Sequence, residues 1–127
     1  MKKKILNGIA NLVLIAALSC VISLAVTGAR TGHSTVFGFR GFYIMSESME
    51  PTIMTDQVVL GRSVKADDVA VGDVVAYERD GVIIIHRVKD IIMTNRGKMY
   101  QFKGDNNNEP DNKLVSADQI LYRIICY

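Results

Sequence analysis

After Lys2, Lys3 and Lys4 the chain runs through residues 5–28 with no charged side chain and only a few small polar ones. The stretch has the length of a bilayer span, since a helix crossing about 30 Å of hydrocarbon needs about 20 residues at about 1.5 Å each. Asn7 and Asn11 fall near its first end, where water still reaches. The pattern predicts a tail over 1–4, a transmembrane helix over 5–28 and an outer domain over 29–127. By the positive-inside tendency the lysines stay on the cytoplasmic side and everything after Arg30 lies outside. A cleavable leader has the same ingredients, ending in small residues such as Gly28 and Ala29. Length favours a retained anchor, because the uninterrupted apolar core over 12–26 is at the upper end for a leader.

Beyond the span, Val36-Phe-Gly-Phe-Arg-Gly-Phe-Tyr43 gathers three of the four phenylalanines in one short window. Aromatic side chains favour the headgroup region, so this window either skims the membrane or forms a strand with its rings against a core; both can hold for different side chains. After Pro51 the pattern becomes short apolar stretches rich in Val, Ile and Tyr, at 57–60, 73–77, 82–88, 99–102 and 120–126. They are bounded by Gly61, Gly72, Asp80-Gly81 and Arg96-Gly97, and Asp80-Gly81 is a strong hairpin signal. The expected fold is mainly β: a single amino-terminal transmembrane helix followed by a compact, mostly antiparallel β domain. Ser63-Val-Lys-Ala-Asp-Asp-Val69 allows a helical turn at most, and residues 104–113 are polar and Asn-rich enough to be a loop.

Composition narrows the chemistry. A chain of 127 residues holds one domain, and a formal net charge of +2 with scattered Lys and Arg does not favour a nucleic-acid partner. Cys20 lies in the apolar segment and Cys126 one residue from the end, so they read as small buried apolar residues rather than a disulfide framework. With only His33 and His86 and no Cys–His cluster, neither a metal nor another cofactor is expected. Any catalysis falls to ordinary side chains.

Ser46-Glu-Ser-Met-Glu-Pro-Thr52 sets two serines just before a proline, which pushes Glu50 toward an extended conformation and stops a helix from crossing the segment. Alone this is an ordinary turn composition. His86 stands in Val82-Ile-Ile-Ile-His-Arg-Val88, where its apolar neighbours give no reason for an imidazole. Alone it reads as a half-buried strand residue. Together they gain weight, because a serine nucleophile needs a base within hydrogen-bond reach and a third group to orient that base. The loop Lys103-Gly-Asp-Asn-Asn-Asn-Glu-Pro-Asp111 offers Asp105 and Asp111 for that third role.

In order and spacing these three blocks, with the preceding anchor, resemble the signal peptidase I family of serine peptidases, in particular its endoplasmic-reticulum-type branch found in eukaryotes, archaea and some spore-forming Gram-positive bacteria. The resemblance covers nearly the whole chain. It implies a serine endopeptidase that removes signal peptides from secreted preproteins at the outer face of the cell membrane. Ser48 attacks the scissile carbonyl, His86 takes and returns the proton, and an acid holds His86 in the useful tautomer. The backbone N–H of Ser48 and the hydroxyl of Ser46 form the oxyanion hole, and Lys103, Gly104 and Asp105 support the site. In the larger bacterial branch a lysine stands where this chain has His86; imidazole is a base near neutrality without heavy desolvation. The resemblance favours Asp111 as the orienting acid, six residues beyond Asp105, with Asp105 in a turn accepting backbone N–H bonds.

The implied partners are preprotein substrates, with small residues at the first and third positions before the cut, and membrane lipid. Family members commonly continue past the equivalent of Ile120-Leu-Tyr-Arg-Ile-Ile-Cys-Tyr127, so the resemblance reads this chain as a shortened form with a strand edge left open. Two other classes compete: a catalytically silent, membrane-tethered β module that binds secreted proteins, and a secreted β protein whose first segment is removed.

Overall fold

The computed structural model describes residues 2–31 and 35–127. Met1, where the expected tail begins, and His33 lie outside the described residues. The chain divides into two compact units, Met1–Arg40 and Gly41–Tyr127.

The first unit is built on α1 (Lys2–Thr31), a helix of 30 residues that starts within the lysines and continues three residues past Gly28. Its segment Lys4–Val26 is long and apolar enough to cross a membrane. Apolar side chains are exposed all around it, as at Leu12, Leu14 and Ile15, and a helix that is apolar on every side is matched to lipid or to a protein interior. After the helix, Phe37 and Gly38, both at positive φ, close a two-residue turn between Val36 and Phe39, which exchange backbone hydrogen bonds of 2.9 Å. The Phe37 N–H donates to Ser23 Oγ at 3.0 Å, tying the turn to α1.

The remaining elements are β1 (Phe39–Tyr43), β2 (Val58–Ser63), β3 (Val74–Arg79), β4 (Val82–Thr94), β5 (Gly97–Lys103), β6 (Val115–Ser116) and β7 (Ile120–Cys126). They form one seven-stranded sheet in the order β1-β2-β7-β3-β4-β5-β6, and it is antiparallel, so the mainly β expectation holds. The Asp80-Gly81 signal is a true hairpin: both residues take positive φ, and Arg79 pairs with Val82 across the turn. β4 runs well past the expected end at Val88. A register shift between Val88 and Asp90 lets pairing continue with Lys89 and Asp90 at exposed positions, so charges that looked like a strand end are the outer edge of a longer hairpin. The helical turn expected at 63–69 is a single 3-10 turn, Ala66–Asp68.

Apolar clusters cover both faces of the sheet. Val74 and Ala76 of β3 face a cluster with Phe42, Met49, Ile53 and Tyr122, while Val75 and Tyr77 face one with Val88, Tyr100 and Phe102. That is why the central strand reads as an unbroken apolar run instead of alternating. The aromatic window divides: Phe42 is buried edge-on against Tyr122, with ring centroids 5.3 Å apart, whereas Phe37, Phe39 and Tyr43 are exposed. Gly61 permits this packing, since a Cβ there would lie 2.8 Å from the Phe42 ring. Cys20 is half-buried and Cys126 exposed, both as free thiols; the reading of Cys126 as a buried apolar residue fails because β7 ends there with its side chain turned outward.

Candidate active site

The β3–β4 register places His86 opposite Val75, and directly opposed residues of an antiparallel pair share a face. His86 therefore stands on the face that carries Val75 and Tyr77, diagonal to Tyr77, and Arg87 points the other way. β5 ends at Lys103, which pairs with Arg87, so the loop 104–114 leaves the sheet on the rung beside His86. The serine block folds into one 3-10 turn, Glu47–Met49, closed by Glu50, whose backbone is extended before a cis Glu50–Pro51 bond. Met49 is buried and anchors the turn in the core. Beyond it, Glu50 Oε1 accepts from the Thr55 N–H at 3.2 Å and the Thr55 hydroxyl at 2.9 Å, which fixes the following loop.

These elements bring Ser48, His86 and Asp111 into one hydrogen-bonded line. His86 Nδ1 lies 2.9 Å from Asp111 Oδ2 and 3.1 Å from Oδ1, and Nε2 lies 3.1 Å from Ser48 Oγ. Two carboxylate oxygens on Nδ1 require the proton there. Nε2 is left as the acceptor and Ser48 donates to it. The His86 and Asp111 side chains are each 11% exposed, so their contact is poorly screened by water. Ser46 Oγ lies 3.2 Å from Ser48 Oγ, within reach for either hydroxyl to donate, and Ser46 donates whenever the Ser48 proton is directed at His86. The N–H groups of Glu47, Ser48 and Met49 occupy the first positions of the 3-10 turn, which such a turn does not use itself.

The loop also clamps the serine turn. The Asn106 N–H donates to Ser48 O at 2.9 Å, and Asn106 Nδ2 donates to Glu47 O at 3.1 Å. The Asp111 N–H donates to Phe102 O at 2.8 Å, and Tyr77 donates its hydroxyl to Asp111 Oδ2 at 2.6 Å. Burial first, and the Asp111 carboxylate second, push the Tyr77 phenol well above its usual range. Asn106 and Tyr77 carry no motif of their own. The one sequence signal for Tyr77 is a hydroxyl inside an apolar strand, which a buried ring has to satisfy.

Asp105 is placed apart from His86 and differs from its expected environment. Instead of backbone N–H groups it meets Arg87, whose Nη2 and Nε donate to its two oxygens at 2.6 Å and 2.9 Å. That fork is the main reason the Asp105 carboxyl is held below the usual carboxylate range, against the effect of its burial; Thr52 and Lys103 add to it. A residue whose neighbour His86 faces the site thus fastens the loop from the other face of β4. Among the described residues no group of His, Cys, Asp and Glu is arranged to hold a metal ion.

Beside Ser48 a cleft of about 270 Å³ lies between Tyr43–Ser46 and the first half of β4, with Ile83 and Ile85 in its wall. Along this half β4 is paired with β3, and β5 joins it only from Arg87 onward. One edge of residues 82–85 therefore faces the cleft.

No family model matches the chain. Among curated proteins, signal peptidase I W of Bacillus subtilis (strain 168) is 30% identical over 112 residues, covering 85% of this chain and 59% of that protein. The chain thus spans 59% of the length of the relative it matches, and what it shares with it is similarity of sequence across most of its own residues.

Proposed function

We propose that this protein is a membrane-anchored serine endopeptidase of the signal peptidase I kind, in the endoplasmic-reticulum-type branch, which cuts preproteins at the outer face of the cell membrane. The observation that carries the reading is the line Ser48 Oγ to His86 Nε2 to Asp111, built from three separate sequence blocks. An extended segment of the preprotein lies in the cleft along residues 82–85, adding a strand to the open edge of β4. His86 takes the Ser48 proton as Oγ attacks the scissile carbonyl. Asp111 keeps the proton of Nδ1 in place and offsets the charge of the imidazolium. The Ser48 N–H and the Ser46 hydroxyl donate to the oxyanion. His86 returns its proton to the leaving amine, and a water then releases the acyl group from Ser48 by the same steps in reverse order. In this reading residues 5–28 are the anchor, 29–127 the outer domain, 1–4 the cytoplasmic tail, and exposed Phe39 faces lipid.

The test places full-length protein in liposomes with a preprotein and sequences the amino terminus of the product. Wild type yields one new amino terminus following small residues, and Ser48→Ala yields none. Retention of the preprotein without cleavage by wild type overturns the reading in favour of a binding module.

A further inference from the structure

We infer that Tyr77 is a positioning residue for this array, its hydroxyl fixing the plane in which the Asp111 carboxylate meets His86. The inference rests on the peptidase reading above. Tyr77 is fully buried in the centre of β3, and its ring stacks on Phe102 with centroids 4.3 Å apart. Phe102 is also the residue whose carbonyl accepts the Asp111 N–H. One stacked pair in the core therefore holds both ends of the acid, its backbone through Phe102 and its side chain through Tyr77.

The side-chain contact is needed because of where Asp111 sits. The loop is polar and irregular, and a carboxylate turns easily about its last torsion. Oδ1 and Oδ2 lie at nearly equal distances from Nδ1, 3.1 Å and 2.9 Å, so His86 alone does not distinguish them. The Tyr77 hydroxyl does, with a short bond of 2.6 Å to Oδ2. This donor also withdraws charge from the carboxylate, which reduces its pull on a protonated His86. The other charged groups lining the cavity beside His86 and Asp111 are Arg79 on β3 and Glu109 and Lys113 on the loop. Arg79 lies 5.3 Å from the Tyr77 ring centroid and donates to the Lys113 carbonyl at 3.0 Å, so it is held in the wall by contacts that do not use the Tyr77 hydroxyl and that Tyr77→Phe retains.

The experiment compares wild type, Tyr77→Phe, Asp111→Asn, the double variant and Ser48→Ala as full-length proteins in micelles, reading kcat and KM against pH with a preprotein. Tyr77→Phe keeps the ring stack and removes only the donor. We expect kcat to fall about tenfold with KM unchanged. The rising limb of the pH profile moves to higher pH, because the unbridled carboxylate holds the proton on His86 more firmly. In the Asp111→Asn background the same change has no further effect on kcat. A second arm places 3-fluorotyrosine at position 77, which keeps ring and hydroxyl but donates more strongly, and the limb then moves to lower pH. A Tyr77→Phe protein with wild-type kcat and limb, or an unmoved limb with 3-fluorotyrosine, overturns the inference. Inactivity of Ser48→Ala in the same series leaves the peptidase reading standing in that event, whereas full turnover by Ser48→Ala removes that reading itself.

Discussion

Gly104 lies against the carbonyl oxygen of Ser48, so closely that a Cβ at position 104 would stand 2.5 Å from that oxygen and 2.8 Å from Asn107 Nδ2. The obstacle is backbone rather than a flexible side-chain tip, and the turn carrying Ser48 has to shift to relieve it. Gly104→Ala is expected to lower stability by about 1 to 3 kcal/mol and turnover by at least tenfold. Thermal melts and kcat of the purified full-length variant check it. Wild-type values for both show that the loop does not hold the serine turn.

The two aspartates of the loop should separate stability from turnover. Asp111→Asn keeps the fold and lowers turnover strongly, since an amide stabilises the wrong imidazole tautomer, an effect of about 10⁴ in a triad of this type. Asp105→Asn costs about 1 to 3 kcal/mol of stability through the lost Arg87 fork. The pH dependence follows from the same contact. The folded protein holds the Asp105 carboxyl below its usual range, so the unfolded chain binds that proton first as pH falls. The stabilisation is fully present above the ordinary carboxylate value of about 3.9 and is lost as pH drops through the lowered folded value. Melts of wild type and Asp105→Asn at a series of pH values should therefore differ at neutrality and converge in acid. An Asp111→Asn protein with normal turnover beside a folded, inactive Asp105→Asn protein reverses the two roles.

Ser48 and Ser46 lie 3.2 Å apart and are assigned different work. On the proposed reading Ser48→Ala is expected to abolish processing while leaving folding and membrane insertion intact. Ser46→Ala loses one oxyanion donor and is impaired by about 10² to 10³ in kcat without being dead. Equal losses in the two variants count against that division.

On the proposed reading His86 accepts the Ser48 proton only in its neutral form. His86→Lys should be nearly inactive at neutral pH, because a lysine there has to shed its proton in a site that supplies a carboxylate partner and so favours the charged amine. Turnover by His86→Lys comparable to wild type at neutral pH is the result that sinks an imidazole base.

The sequence exposed those parts of the fold that are written in local pattern. The span is an uninterrupted apolar run, the central strands are Val- and Ile-rich, and Asp80-Gly81 carries its own turn chemistry. What it concealed depends on register. The strand ending expected at Val88 is a bulge with charges on an open edge, which composition cannot separate from a loop. The fork between Arg87 and Asp105 joins residues 18 apart and replaces the local backbone contacts expected for Asp105. Arg87 carries no signal of its own in an apolar run, and its role follows only from the strand, whose neighbouring residues face opposite ways. Ser48, His86 and Asp111 were legible as residue types in ordered blocks; that they meet within 3.1 Å is a product of the sheet.

The open edge of residues 82–85 sets a reading frame. A chain laid along that edge must adopt the pleat of β4, and in a pleated strand alternate side chains turn to opposite sides. On the proposed reading, the residue nearest the Ser48 hydroxyl and the one two before it face the same wall, with Ile83 and Ile85 in the cleft lining, while the residue between them looks away. On that reading the cleft of about 270 Å³ beside Ser48 receives alternate side chains of the bound segment, so every second position is judged against one shared space and the positions between are not. Selectivity of this form would come from the geometry of the backbone before any individual contact is counted.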